Sequence, residues 1–577
     1  MKIGLVCSVE WPSLYLINEL TRAGISLSAI YVREREITAP WNLKAFWKNR
    51  RRLGWRTAAA IFLDQSLGNS AGEDASNALG EIRSVRALRR SRLPVACVDR
   101  FTSDEFAERL HAAEHDLILI CGTPVLPEKV VAAPRKAMLN IHTSVLPHYR
   151  GGGSLFWPIF FRNYDKIGYT IHRVTSDLDG GPTIAQEALN YEHGWSKDRL
   201  QFEIFRRAVP KLVDIIKTQN LDPIVDKAAP IDFVFRRPTP QFKRIYNGSV
   251  ESPLKRRLRR IEFPIARHLS RKDQPSVTVI YAHRVLPDDT ASDDWRRLLG
   301  HATVSETRRL MLFLKRHYDF ISLDQLTELS SQNRWIERPS LVLTYDDGYE
   351  DFFTQGGELF DDLRIPAALF LSTSVLEGYV PYHQRAYDLI DRVRNPHLCV
   401  PWMRERLHFG DSRHRILSIE YVLLPYLKRL SIERRTQCLD ELYSANQVEP
   451  DNGRDSYCSE SQVRSSANAE LLSVYLHGHV HEPYETLDQN NMRADLLASK
   501  QRFRCLLNEE CPVMSYPNGS FTEAQLEEVK KAGFEWAFTT SPKKLIGPDF
   551  DRLRIPRMGF DNKDPLITAR RLLRLDA

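Results

Sequence analysis

The run Ala137-Met-Leu-Asn140-Ile-His142 sets two polar side chains, two residues apart, at the end of an otherwise apolar stretch. A strand alternates its side chains between faces, so Asn140 and His142 project from the same one. Pro147 and the glycines at 151–153 stop the strand and leave the pair at its carboxyl end. In an open α/β sheet that is the end where ligands bind. Downstream lies Ser176-Asp177-Leu178-Asp179-Gly180-Gly181-Pro182, which offers a carboxylate in a tight turn. An amide, an imidazole and a carboxylate brought together there suit acyl transfer. The amide stabilises an oxyanion, the imidazole moves protons, and the carboxylate sets the charge of the histidine. The plainer alternative is that Asn140 and His142 are hydrogen-bonded polar groups that close a strand.

The flanking pattern supplies the sheet. Residues 2–9 read as a buried strand, and 11–23 as a helix with Leu14, Leu16, Ile17 and Leu20 inward. Strands at 25–32, 93–98 and 116–121, with a helix at 103–113, continue the alternation. This predicts a doubly wound, Rossmann-like parallel sheet. The first strand is followed by Cys7-Ser8-Val9-Glu10-Trp11 and not by G-x-G-x-x-G, so a dinucleotide is not the favoured ligand. Residues 34–90 are polar, arginine-rich and helical in parts, and 200–216 form an amphipathic helix.

Three blocks carry a resemblance: Asn140-Ile-His142-x-Ser-x-Leu-Pro147-x-Tyr149-Arg150-Gly, then Tyr-Thr170-Ile-His172-Arg-Val, then Leu-Asp179-Gly-Gly-Pro. In this order they resemble the formyltransferase family, which includes methionyl-tRNA, glycinamide-ribonucleotide and sugar-nucleotide N-formyltransferases. The resemblance covers about residues 1–246. It implies 10-formyltetrahydrofolate as donor and Asn140, His142 and Asp179 as catalytic residues. It also implies that Gly122, Thr123, Pro124, Val125 and Leu126 line the folate pocket. A strand-to-helix turn explains Gly122 and Pro124 equally well. The absence of a glycine-rich phosphate loop after the first strand disfavours glycinamide ribonucleotide as acceptor.

Residues 247–275 contain Leu254-Lys-Arg-Arg-Leu-Arg-Arg-Ile. They read as a charged linker helix, or as a basic face for an anionic membrane or nucleic acid. From residue 276 the pattern restarts. Ser340-Leu-Val-Leu-Thr-Tyr-Asp346-Asp347-Gly is an apolar strand that ends in paired carboxylates. Desolvation would perturb such a pair unless a cation compensates. Far downstream, in His477-Gly-His479-Val-His481, three histidines share a face if the segment is extended; His477 and His481 share one if it is helical. A carboxylate with two imidazoles is a suitable divalent-metal site for hydrolysis.

Thr344-Tyr-Asp-Asp-Gly, His477-x-x-x-His481 and Ser515-Tyr516-Pro517-Asn518-Gly519 resemble blocks of the polysaccharide deacetylase family, carbohydrate esterase family 4. The resemblance implies a distorted (β/α) barrel over 276–577, with 378–470 as an insertion or lid. It also implies that Asp347, His477 and His481 hold a metal, usually zinc. Asp346 would be the general base, and the backbone N–H at Asn518 would help hold the oxyanion. Gly478 stands where the family has Ser or Thr, and Ser515 where it often has arginine. The late Leu-x-His that supplies a general acid is replaced by Ile555-Pro556-Arg557, which leaves His479 as a substitute.

A chain of 577 residues has room for two such domains. A net charge of +7 is small for this length and does not by itself point to nucleic acid. Eight cysteines with no C-x-x-C indicate reduced, cytoplasmic thiols. The first residues serve as a strand and not as a secretory segment, and no apolar run is long enough to span a membrane. The expectation is a cytoplasmic, bifunctional enzyme of carbohydrate metabolism, both transferase and hydrolase. It would combine N-formyl transfer with metal-dependent N-deacetylation of a small molecule, such as a nucleotide-linked amino sugar or a natural-product intermediate, exchanging acetyl for formyl. The alternatives are formylation followed by deformylation, or a tRNA-directed transferase with a non-catalytic deacetylase-like module. The missing tRNA-binding barrel after residue 246 makes a nucleic-acid partner unlikely.

Overall fold

The computed structural model describes residues 1–33, 80–191, 195, 197–225, 234–239, 242, 275–403, 406–450, 456–467, 469–560, 568 and 571–572. Most of the arginine-rich region at 34–90 and nearly all of the basic linker at 247–275 lie outside the described residues. The chain divides into two compact units, Met1–Thr239 with Val400–His408, and Pro240–Cys399 with Phe409–Ala577. Among the described residues no helix is long and apolar enough to cross a membrane.

The first unit is a seven-stranded sheet. Its strands are β1 (Ile3–Cys7), β2 (Leu27–Arg33), β3 (Val95–Val98), β4 (Leu117–Cys121), β5 (Ala137–His142), β6 (Gly168–Arg173) and β7 (Thr183–Ala188). Their order is β3-β2-β1-β4-β5-β6-β7. Pairing is parallel from β3 to β5 and antiparallel at β5–β6 and β6–β7. The sequence of β1 is Ile-Gly-Leu-Val-Cys and that of β4 is Leu-Ile-Leu-Ile-Cys; both are buried throughout, as strands covered on two faces must be. The helices Trp11–Arg22 and Lys197–Thr218 send Leu14, Ile17, Leu20, Leu200, Ile204 and Leu212 into the same core. The strand order reverses between β1 and β4, and a cavity of about 610 Å³ lies there, lined by Ser8, Gly122, Asn140, His142 and Asp179 among others.

The second unit is built on a nine-stranded sheet. Its main path runs Trp536–Phe538, Val513–Ser515, Leu472–Leu476, Ala367–Leu371, Ser340–Asp347, Ser276–Ala282 and Leu545–Ile546. Only the last pairing in that path is antiparallel. Ile555 bridges Phe538 in parallel, and Arg557–Gly559 then pairs with Ser276–Ala282. One short segment therefore links the two sides of the sheet and curls it into a distorted barrel. Ser340–Asp347 is central and every residue in it is buried. Its aliphatic side chains pack with those of Ala367–Leu371 in one core, and this apolar seat carries Asp346 and Asp347 at its carboxyl end. The 378–470 segment is mainly helical, with helices at Tyr382–Arg392, Ser412–Ser418, Leu424–Leu427, Ile432–Ala445 and Glu460–Ser466.

Two candidate active sites

At the end of β5 the antiparallel register sets Asn140 opposite His172 on β6. His172 is buried, and its Nδ1 lies 2.9 Å from the carbonyl of Arg173. A carbonyl only accepts, so Nδ1 carries the proton and Nε2 is an acceptor. The Asn140 Nδ2 amide, 3.2 Å away, donates to it. Burial lowers the pKa of His172 to about 4, which keeps the ring neutral and this orientation fixed.

His142 donates from Nε2 to the carbonyl of Tyr149 at 3.1 Å, which leaves Nδ1 facing Asp179 Oδ2 at 3.4 Å. Two acceptors do not attract, so His142 and Asp179 form a natural seat for one shared proton. Asp179 has a left-handed backbone, φ 51°, and accepts from the backbone N–H of Gly151 at 2.9 Å. Arg150, 2 % exposed, pins the same turn through the carbonyl of Leu178 at 2.8 Å and through the carboxylate of Asp177. Asn140, His142 and Asp179 therefore come together. Motif reading passed over His172 and Arg150 as functional residues, although both stand inside the quoted blocks.

Gly122, Thr123, Pro124, Val125 and Leu126 line the same cavity. Gly122 is at φ +68°, and a Cβ there would lie 2.3 Å from Ser8 Oγ, so glycine permits the close approach of this turn to the end of β1. Val125 is 65 % exposed.

In the second unit Asp347, His477 and His481 each place a ligand atom within 4.8 Å of the other two. The histidines reach it through neither of the two geometries expected from their spacing. After the strand Leu472–Leu476 the chain bends, with positive φ at Gly478 (72°) and His481 (56°). Asp495 clamps the bend by accepting from the backbone N–H groups of His479 and Val480, both at 2.9 Å. A Cβ at residue 478 would lie 2.7 Å from Asp495 Oδ2, which accounts for glycine at a position where Ser or Thr was the expectation. His479 is turned to Thr373 Oγ1 at 2.9 Å and is not part of the three-residue group.

His477 Nδ1 donates to the carbonyl of Ser515 at 3.0 Å, with the Ser515 hydroxyl beside it, so its Nε2 lone pair faces Asp347 at 3.5 Å. His481 Nε2 is 3.0 Å from the same carboxylate oxygen. Burial, the largest single influence, acts to raise the pKa of Asp347, but His481 together with His283 and His383 holds the carboxyl well below its usual range. Burial, the largest single influence, pulls His481 down, but Asp347 together with Glu482 and Asp346 raises it. At His477 burial prevails over the opposing pull of Asp346 and Asp347 and lowers the ring to about 4.

Asp346 lies beneath. Arg557, fully buried, grips both its oxygens at 2.7 and 2.8 Å. Burial acts to raise the pKa of Asp346, but Arg557 and His477 outweigh it and lower it. The guanidinium that the 515 position lacks is thus supplied from the segment that lacks the late histidine. Asn518 is exposed with φ 56°, in the turn Pro517–Gly519.

The site fits a divalent cation. His481 Nδ1 is buried without a hydrogen-bond partner, Asp347 Oδ1 faces only the two imidazoles, and the donor set is one carboxylate and two imidazoles.

Residues 92–213 match the family model described as formyl transferase, and residues 419–537 the one described as polysaccharide deacetylase. The first match contains Asn140, His142 and Asp179; the second contains His477, His481 and Asn518 but stops short of Asp346 and Asp347. A methionyl-tRNA formyltransferase of Staphylococcus epidermidis (strain ATCC 12228 / FDA PCI 1200) is 29% identical over 137 residues, 22% of this chain and 44% of the relative. The one from Deinococcus radiodurans is 31% identical over 115 residues, 20% of this chain and 36% of the relative. The chain spans less than half the length of these curated relatives. Among solved structures, a Streptococcus pyogenes deacetylase in complex with acetate has a TM-score of 0.35 at 12% identity, covering 52% of this chain and 99% of that one. Glycinamide ribonucleotide transformylase 1 from Symbiobacterium toebii has a TM-score of 0.27 at 18% identity, covering 40% and 93%. The N-terminal region thus resembles formyltransferases and the C-terminal region polysaccharide deacetylases, as the motifs indicated.

Proposed function

We propose that this chain is a bifunctional enzyme that transfers a formyl group from 10-formyltetrahydrofolate to an amine and hydrolyses an N-acetyl amide with a divalent metal. The observation that supports this reading is the presence of two converged polar sets, one suited to amine acylation and one to amide hydrolysis, each at the carboxyl end of its own sheet.

In the transfer step the amine nitrogen attacks the formyl carbon, and the bond from that carbon to the folate nitrogen breaks. Asn140, with one amide N–H held by His172, offers the other to the developing oxyanion. The His142–Asp179 pair takes the proton that the amine releases and returns it to the departing folate nitrogen. In hydrolysis a water adds to the acetyl carbonyl, the C–N bond breaks, and acetate and a free amine leave. Asp347, His477 and His481 hold the metal, zinc by resemblance. When bound, it supplies Lewis-acid polarisation of the carbonyl and acidifies water. Asp346, oriented by Arg557, accepts the proton of the attacking water, and by resemblance the Asn518 N–H would help hold the oxyanion.

The proposed acceptor is a small amine, an amino sugar on a nucleotide or a natural-product intermediate, and the donor, a reduced folate, suits a cytoplasmic enzyme. Removal of acetyl from one nitrogen exposes the amine that the other site formylates. Incubating the full chain with 10-formyltetrahydrofolate and a panel of N-acetylated and free amino-sugar nucleotides, followed by mass spectrometry, tests the reading. The N-formyl product is expected from the N-acetyl compound. Removal of formyl but never of acetyl would replace exchange by a protect-then-deprotect order, and no acyl change on any compound would sink the proposal.

A further inference from the structure

The helix Tyr382–Arg392 brings a histidine to the metal-site candidate that no motif announced. His383 Nε2 lies 3.9 Å from Asp347 Oδ2, while the other oxygen of the same carboxylate faces His477 and His481. The His383 ring lies against that of His481, with centroids 4.7 Å apart. Its Nε2 is buried and has no hydrogen-bond partner. It does not join the three-atom group of Asp347, His477 and His481, so it stands beside the ligand set and outside it. Two polar neighbours on the same side are already engaged. Tyr387, one turn along the helix, donates to Glu420; Arg435 is paired with Glu482 and lies over the Tyr382 ring. A buried ring nitrogen without a hydrogen-bond partner is costly unless something binds it.

We propose that His383 is a substrate-contacting residue of the deacetylase site, with Nε2 hydrogen-bonded to the scissile amide. The 378–470 segment then forms part of the substrate wall and not merely a cover. This inference rests on the metal-dependent hydrolase reading above. An imidazole nitrogen complements an amide in either tautomer: as a donor it meets the carbonyl oxygen, as an acceptor the amide N–H. It also takes the side of Asp347 that the two ligating histidines do not use.

The test uses the full chain loaded with Co²⁺, the visible absorption of the ion, and acetohydroxamate as a probe that presents an acyl carbonyl and an N–H. In His383→Ala the Co²⁺ affinity should stay within about twofold, and acetohydroxamate should bind about tenfold more weakly. His383→Gln, which keeps a hydrogen-bonding end at similar reach, should recover part of that loss and also guards against a folding defect in the alanine variant. A tenfold loss of Co²⁺ affinity in His383→Ala would make the residue a metal ligand and overturn the proposal. Unchanged acetohydroxamate binding would overturn it equally. If wild-type chain and Asp347→Ala both fail to take up Co²⁺, the hydrolase reading itself has failed, and this proposal falls with it.

Discussion

The two sites solve opposite electrostatic problems. Around Asn140 the polar atoms are tied to one another and to the backbone: His172 to the Arg173 carbonyl, Asn140 to His172, His142 to Tyr149, and Asp179 to the Gly151 N–H. Around Asp347 the ring nitrogens are left over, because His481 Nδ1 and His383 Nε2 are buried without hydrogen-bond partners. The first arrangement is preorganised by the protein alone, which is what the proposed formyl transfer would need of its donors and acceptors. The second gathers a buried carboxylate and imidazoles, and in the proposed function a cation completes it. The lesson is that unsatisfied buried polar atoms, which read as defects in a structural core, are in the second unit the basis for proposing a bound cation.

The largest expected effect is a crossed one. Asp347→Ala should abolish metal binding and reduce hydrolysis to background while formyl transfer continues. Asn140→Ala should lower formyl transfer by about 10²–10³-fold and leave hydrolysis intact. A chelator should reproduce the first change and not the second. Metal content by elemental analysis, alongside the two assays, checks the pair. If Asn140→Ala lowered metal content, or if chelation stopped formyl transfer, the separation of the two chemistries would be wrong.

A second contrast lies in how each site holds its carboxylate. Asp179 is held by a backbone N–H, whereas Asp346 is held by a fully buried arginine. Removing one partner of a buried ion pair strands the other charge, at a cost of about 3–5 kcal/mol. Arg557→Met should therefore destabilise the chain by about that amount and slow hydrolysis. Adding Asp346→Asn to it should recover stability but not activity. Urea unfolding followed by probes of each unit would report this. A loss below about 1 kcal/mol in the single variant would show that Asp346 is not ionised against Arg557.

What was legible in sequence follows from the same physics. Asn140 and His142 could be placed because strand alternation is local, and Asp346 and Asp347 because an apolar run ending in two acids is anomalous on its face. His172 was not assigned a role because its partnership with Asn140 depends on the antiparallel register of β5 and β6. Arg557 and Asp346 are 211 residues apart, and only closure of the barrel through Ile555 brings them together. His477 and His481 were paired by spacing, but on the assumption of a regular backbone. The structure uses left-handed residues at Gly478 and His481 instead, which periodicity does not encode. His383 gave no signal, since a histidine near the start of an amphipathic helix is ordinary until the helix is known to pack on a metal site.

The smallest effect at neutral pH, and the most specific to the preorganised site, belongs to His172. It touches no reacting atom; its role is to accept from Asn140 Nδ2 and so hold the amide in one of its two orientations. His172→Phe keeps a ring of similar size and removes the acceptor, so Asn140 becomes free to flip. Formyl transfer should fall about tenfold, chiefly in kcat, because an unoriented donor is lost in the transition state and not in substrate binding. A pH readout separates this from a general packing defect. Burial lowers the folded-state pKa of His172 from 6.5 to about 4, so the unfolded chain takes up a proton there first as pH falls. The contribution of this histidine to stability is therefore complete above about 6.5. It is lost between 6.5 and about 4, with a slope of up to about 1.4 kcal/mol per pH unit. His383 and His477 act in the same direction in the other unit, so the quantity to read is the difference between wild type and variant for the first unit alone. His172→Phe should flatten the acid dependence of that unit over this window. If the variant lost stability with the wild-type slope, or if formyl transfer were unchanged at pH 7.5, the orientation of Asn140 would have to come from another group.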